Sequence, residues 1–456
     1  MGALTQSIAD FLAGEAFGAI PDAAVSLAVD GFTDCLAVMV AGVHEPVTRR
    51  VWEQVEATGL GSGSRLLLGD TACAPAQAAL VGTTAAHALD FDDYAFSNHV
   101  SALLVPAVVA EAERVGSTGR DMVAAYLAGF EVWAAVFKRE PRHLHSKGWH
   151  PTGVFGPIGV AAALCRLRGM SAAQCRNAIG LAAASGGGVM DNFGTQAKPW
   201  QGGRAAEAGV VAVELASRGM TAGQDALDGS GGLMAALSPS GEVDRTSPAE
   251  HLGREWLSAG PSLNIKPHPT VGASQRAIDA AIQLHRDHAP DPGSVRAVTV
   301  RVSEKHAAVM RLHRPTTASE ARFSVEFGVA AGLLVGRVGL AELSDGFVND
   351  ARVQALIRKI NIETGPDDDP SYPVGARFDT VCLEMADGRH LESEPVYRFC
   401  GHGENPMTEQ ALSDKFADCT VRLLGPSLSD RLLRAVRGLP GLQTAADLPT
   451  LVFRQD

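Results

Sequence analysis

Apolar residues recur at helical spacing over roughly the first 260 positions, and no convincing period-two run interrupts them before residue 290. TGRDMVAAYLAGFEVWAAVFK opens with Thr118 as a candidate N-cap and Asp121 three residues on, and SAAQCRNAIGLAAA repeats the device with Ser171 and Gln174. The pattern changes after KPHPTVGASQ. One more helix, AIDAAIQLHRDH, is followed by the breaker PDPG. Then SVRAVTVRVS alternates, with Val298, Val300 and Val302 on one face and Thr299, Arg301 and Ser303 on the other. TVCLEMADGRHLES alternates again and puts Asp387-Gly388 where a tight hairpin turn belongs. Helical segments lie between the two, SEARFSVEFGVAAGLLVG and DARVQALIRKI. After GHGENP the period is helical once more, in TEQALSDKFADCTVRLL and SLSDRLLRAVRGL. These periods predict a mainly α chain: a large all-helical domain, then an α+β domain. The last helices either form a third unit or return to the first.

Composition narrows the class. At 456 residues the chain is too long for one ordinary core. Its 46% hydrophobic and 20% charged content fits a soluble globular protein, and aromatics at 5% leave Ala and Gly to make close helix contacts. A formal net charge of -12 argues against nucleic acid as a partner. Seven scattered cysteines, none in a C-x-x-C pair, argue for reduced thiols in a cytoplasm and against a structural zinc site. The N-terminus, with Asp10 and Glu15 and no basic region, does not read as a signal peptide. The strongly apolar stretches fall short of a membrane span, so no membrane partner is expected.

Four stretches carry ionisable chemistry. HALDFDDYAFSNH holds Asp90, Asp92, Asp93 and His99 between two apolar runs. HLHSKGWHPTGVFGPIG holds His143, His145, Lys147 and His150 before a glycine-rich helix start. GTQAKPWQGGRAAEAG holds Lys198 and Arg204, and NIKPHPT holds Lys266 and His268. Read singly, each has an ordinary explanation: a solvated helix end for DFDD, a satisfied core histidine for His99, surface lysines for Lys198 and Lys266. An inward carboxylate among the three aspartates would need a cationic or donor partner. His150 precedes a helix N-terminus that favours an anion. No spacing fits zinc or a calcium loop, so no metal and no cofactor are expected.

Taken in series, HALDFDD, GWHPTGVFGPIGVAAA, GTQAKP, IKPHP and GHGENPMT resemble the MmgE/PrpD superfamily, in its order and over nearly the whole chain. The resemblance implies an all-helical domain, residues 1–268 with 402–456, into which a smaller α+β domain, 269–401, is inserted before the C-terminal helices. It implies a homodimer, an active site between the domains, and metal-free, cofactor-independent chemistry on small di- or tricarboxylates. Asp90, His99, His150, Lys198 and Lys266 fall on the family's polar site positions.

The shared chemistry is removal of a proton next to a carboxylate, which needs a base and stabilisation of the enolate. His99 and His150 are the expected proton carriers, and Asp90 is expected to orient a histidine or lysine. Lys198 is expected to neutralise charge or act as a base. Lys266, Arg204, His268 and His145 are expected to bind substrate. The sequence departs from the lyase members at two positions: Val271 stands near where many have a histidine, and Phe327 where they tend to have a tyrosine. DFDDYAFSNH is also one residue shorter than the decarboxylase pattern. Loss of these donors favours a cofactor-independent epimerase of an iminodisuccinate-like amino- or imino-dicarboxylate. The alternatives are a 2-methylcitrate-type hydro-lyase or cis-aconitate-type decarboxylase, and a non-catalytic carboxylate-binding protein.

Overall fold

A computed structural model describes residues 3–140, 144–238, 240–370 and 375–454. The chain divides into two compact units. The first comprises residues 1–88, 92–263 and 412–456, and the second residues 89–91 and 264–411.

The first unit is helical. Its helices are α1 (Ala3–Ala13), α2 (Asp22–Ala41), α3 (Pro46–Thr58), α4 (Pro75–His87), α5 (Val100–Val115), α6 (Gly119–Phe137), α7 (Pro151–Leu167), α8 (Ala172–Ala183), α9 (Ala197–Ser217) and the short α10 (Leu233–Leu237). The expected caps are present. The Thr118 hydroxyl accepts the Asp121 amide at the start of α6, and Ser171 accepts that of Gln174 at the start of α8.

Small residues let these helices touch. A Cβ on Gly159 of α7 would lie 2.4 Å from the Trp133 ring of α6, so glycine is what allows the two to pack. One short antiparallel pair, β1 (Ser64–Arg65) with β2 (Ala72–Cys73), interrupts the helices. Against the sequence expectation, α2 is long and apolar enough to cross a membrane. Most of it is buried inside the first unit, however, and it carries Asp30 and Asp34, each paired with a cation. Its apolar surface is therefore core surface.

The second unit is α+β. α11 (Gln275–His288) precedes β3 (Val295–Ser303). Then come α12 (Glu304–Val309), α13 (Ala318–Ala321), α14 (Val325–Val335), α15 (Asp345–Val348), α16 (Ala351–Ile357), β4 (Ile360–Gly365), β5 (Thr380–Met385) and β6 (His390–Glu392). The sheet order is β4-β3-β5-β6, with β3 parallel to β4 and antiparallel to β5.

Val298, Val300 and Val302 face the core as their alternation requires, beside Ile278, Leu284 and Phe327. Ser303 departs from the alternation and is buried, because its hydroxyl caps α12 by accepting the His306 amide. The Asp387-Gly388 turn joins β5 to β6, with Gly388 at φ +86°. β4 escaped the sequence reading: it is an edge strand whose Asn361 and Glu363 interrupt the apolar pattern. The segment read as one helix, SEARFSVEFGVAAGLLVG, breaks at Ser324, which caps α14 by accepting the Phe327 amide. Residues 412–454 return to the first unit as α17 (Glu409–Leu424) and α18 (Pro426–Arg437).

Candidate active site

The α4–α5 connection is built on unusual backbone. Asp90, Phe96 and Ser97 all have positive φ, at 52°, 39° and 62°. Ala95 and Asn98 exchange backbone hydrogen bonds of 2.9 and 2.8 Å, so Phe96-Ser97 is a tight turn of the kind that normally recruits Gly or Asn. Phe96 offsets the local strain by packing against Phe130 and Phe137, with ring centroids 5.3 and 5.9 Å away. The turn delivers His99 to the N-terminus of α5, where its amide donates to Thr152 Oγ1 of α7 at 3.1 Å.

The three aspartates diverge, and all are buried. Asp92 accepts from His87 Nδ1 at 3.0 and 3.1 Å and from His99 Nδ1 at 2.8 Å. Burial alone would raise its pKa, but the two imidazoles outweigh burial and hold the carboxyl well below the usual carboxylate range. Asp93 accepts the Ser101 amide, and its own amide donates to Asp34 Oδ2 at 2.9 Å. Asp34 pairs with Lys415 of α17 at 2.5 Å. Burial and the Asp34 carboxylate push Asp93 well above its ordinary value, as expected of two acids that cannot both ionise cheaply. Asp90 belongs by its contacts to the second unit. Its carboxylate and its backbone carbonyl each accept from Lys266 Nζ at 2.6 Å, and the lysine is almost wholly buried.

His150 precedes α7 and is buried. Its Nδ1 lies 3.0 Å from Gln201 Nε2 on α9. Gln201 Oε1 meanwhile accepts the Val189 amide at 3.0 Å and Asn192 Nδ2 at 2.7 Å. The loop that supplies Val189 comes close because Gly153 has no side chain: a Cβ there would sit 2.1 Å from the Gly187 carbonyl oxygen. Nε2 of both His150 and His87 is buried with no hydrogen-bond partner among the described residues. The His87 ring lies 4.1 Å from that of His99 and 6.2 Å from that of His150.

Lys198, buried at the start of α9, holds Nζ 4.9 Å from the centre of the Phe193 ring, which also meets His150 edge-on at 5.1 Å. Burial lowers His99 to about 3, helped by His87 and Lys198 and opposed by Asp92. Burial, then the charges of Lys198 and the neighbouring histidines, pushes His150 well below its ordinary value. The first unit thus gathers two neutral imidazoles, a buried ammonium and a buried carboxylate. That set can remove or deliver a proton beside a carboxylate and stabilise the resulting charge. His87, Asp92 and His99 also bring ligand atoms within 4.8 Å of one another, close enough to hold a metal ion. Both Asp92 oxygens, however, are already occupied by imidazole N–H groups.

Other expected residues are placed differently. Asp92, given no role in the sequence reading, meets two histidines, while Asp90, expected to orient a histidine or lysine, takes the lysine. His268 was expected to bind substrate, but both its ring nitrogens face acceptors of the second unit, the Val338 carbonyl at 3.1 Å and Asp279 Oδ1 at 3.0 Å. Arg204 is more than half exposed and pairs with Glu207. It shares with Gln201 the wall of an open groove of about 830 Å³ along α9. His145 is half-buried, its ring 6.1 Å from that of Phe193. His143 lies outside the described residues. Phe327 is a core residue of the second unit, edge-on to Phe347 at 6.3 Å.

The MmgE/PrpD N-terminal domain matches residues 6–246 and the MmgE/PrpD C-terminal domain residues 268–440. The chain belongs to the MmgE/PrpD family. Cis-aconitate decarboxylase of Mus musculus is 27% identical over 98% of this chain and 93% of its own length. The Homo sapiens enzyme is 28% identical over 83% of this chain and 79% of its own. The 2-methylcitrate dehydratase of Escherichia coli strain K12 is 26% identical over 36% of each chain.

Within this candidate site, sequence reasoning missed His87 and Gln201 and gave Asp92 no role. His87 carried one available signal: it ends a helix five residues before Asp92, in the same motif. Gln201 carried another, lying one helical turn after Lys198.

Proposed function

We propose that the chain is a cofactor-independent lyase acting on a small tricarboxylate, in the manner of a cis-aconitate decarboxylase. The observation that carries this reading is the pairing of two neutral histidines, the half-buried His99 and the buried His150, with the buried ammonium of Lys198. The mouse and human decarboxylases, similar over most of the chain, support the substrate class.

Loss of CO2 from an unsaturated tricarboxylate moves the electron pair of the broken C–C bond onto a carbon beside a second carboxylate. The transient enolate takes a proton there. A cation must hold the enolate and an imidazole must supply the proton, and Lys198 and His99 or His150 have the chemistry for these parts.

Dehydration of a 2-methylcitrate-type substrate is the second reading, favoured by the partial match to the Escherichia coli enzyme. The epimerase expectation loses its main support, since it read Phe327 as a missing proton donor and that ring is packed in a hydrophobic core. The homodimer implied by the sequence resemblance is part of this proposal. Mass photometry finding only the 47.5 kDa chain would remove it.

The test is incubation of the purified protein with cis-aconitate in heavy water, following CO2 and deuterium in the product. One CO2 and one carbon-bound deuterium per turnover are expected. Water loss from 2-methylcitrate without CO2 from cis-aconitate would favour the hydro-lyase. Proton exchange into iminodisuccinate alone would restore the epimerase.

A further inference from the structure

We infer that Asp92 and Gln201 are positioning residues that lock His99 and His150 in opposite neutral tautomers, which makes His150 the ring that carries the proton to be delivered. The inference rests on the reading that these two histidines move the protons.

The proton positions follow from what each partner can donate. An ionised carboxylate only accepts, so Asp92, 2.8 Å from His99 Nδ1, requires the proton on Nδ1 and leaves the lone pair on Nε2. The same argument gives His87 an Nδ1–H, 3.0 Å from Asp92. At His150 the partner is an amide, whose orientation is fixed elsewhere. The Val189 backbone N–H can only donate, so the Gln201 atom it meets at 3.0 Å is the carbonyl oxygen. The other end of the amide is then NH2, and it points at His150 Nδ1 from 3.0 Å. His150 Nδ1 must accept. The proton sits on Nε2, which is buried and has no partner among the described residues. The amide also excludes the imidazolium form, since a proton on Nδ1 would face the donating NH2. The two rings therefore carry their protons on opposite nitrogens, His99 on Nδ1 and His150 on Nε2, before any substrate binds.

A division of labour follows. Decarboxylation needs a proton delivered to carbon, and His150 is loaded for it, becoming an imidazole anion only if nothing reprotonates it. A proton arriving at Nδ1 as Nε2–H leaves would avoid that anion, and Gln201 blocks Nδ1. The proton that leaves Nε2 is therefore replaced at Nε2 itself, from water, since His99 and His87 each carry their single ring proton on Nδ1 toward Asp92.

Selective 15N-histidine labelling tests this directly. Long-range 1H–15N spectra distinguish a protonated ring nitrogen from a bare one, and spectra of His99→Asn and His150→Asn assign the two rings. At neutral pH, His150 is expected to show a bare Nδ1 and protonated Nε2, and His99 the reverse. Gln201→Glu puts a carboxylate oxygen where the NH2 was. It should move the His150 proton to Nδ1 and lower kcat about 100-fold with KM nearly unchanged. Gln201→Leu, which removes donor and acceptor alike, should leave His150 a mixture and lower kcat less. The same tautomer in both rings of the wild-type protein, or an imidazolium at His150, overturns the proposal. So does a Gln201→Glu spectrum identical to wild type. The spectra need no substrate. Opposite tautomers in a protein inert to cis-aconitate and 2-methylcitrate would uphold the assignment of proton positions while refuting the proposed function.

Discussion

Through His99, acidification should cost the first unit stability in an amount that can be worked out. In the folded chain His99 takes up its proton only at about 3, whereas its ordinary value is 6.5. Between those values the unfolded chain binds the proton and the folded chain does not, so stability falls as pH falls. For one such group the loss between pH 7 and pH 5 is about 1.9 kcal/mol, rising to about 4 kcal/mol at pH 3. The figure for pH 5 is the same for any folded value below about 4. His150 shifts in the same direction and adds to the wild-type slope.

Urea unfolding at pH 7, 6 and 5 measures the slope, and tryptophan fluorescence confines the signal. All five tryptophans, Trp52, Trp133, Trp149, Trp200 and Trp256, lie in the first unit. His99→Asn keeps a donor for Asp92 but cannot titrate, so the variant should lose about 1.9 kcal/mol less than wild type over that interval. Equal slopes would mean that His99 is not held neutral. A wild-type protein that gains stability on acidification relative to the variant would mean that Asp92 holds His99 charged, and the reasoning would fail.

Lys198→Ala should lower turnover at least about 100-fold, as loss of charge stabilisation does, while the unit stays folded by circular dichroism. Near-full activity would remove Lys198 from the site. Lys266→Met should cost about 3–5 kcal/mol by stranding the buried Asp90 carboxylate, and Asp90→Asn with Lys266→Met should recover most of it. Calorimetric losses that simply add would show the pair to be uncoupled. Exhaustive chelation should leave turnover unchanged. Activity lost to EDTA and restored by one divalent ion would assign the His87, Asp92 and His99 cluster to a metal instead.

The helices with capping boxes and the alternating β3 were legible because their signals are local. Thr118, Ser171 and the three valines each act on neighbours within a few positions. β4 was not legible, since an edge strand needs only one apolar face and half of its residues are polar. The turn at Phe96-Ser97 was invisible for a different reason: it uses residues that dislike positive φ and is held by aromatic packing from α6. In the site, residue types were readable and partners were not. DFDD announced buried chemistry, but which aspartate meets histidine and which meets lysine depends on a left-handed residue at Asp90. The position of Gln201 one turn after Lys198 was readable, but its role was not, because two loop residues, Val189 and Asn192, position its amide.

The return of residues 412–454 to the first unit has a consequence for how the protein is made. Asp34 and Asp93 are buried beside each other, and the cation that balances them, Lys415, is supplied by α17. Arg437 pairs with Asp30 across 407 residues of chain. At about 5–20 residues per second, a ribosome takes about 20–80 s to span that distance. Throughout that interval α2 and the α4–α5 connection have been synthesised without their counter-charges, while residues 264–411, contiguous in sequence, emerge complete. The helical unit begins first and closes last, so the nascent chain must be held open or shielded until α17 arrives.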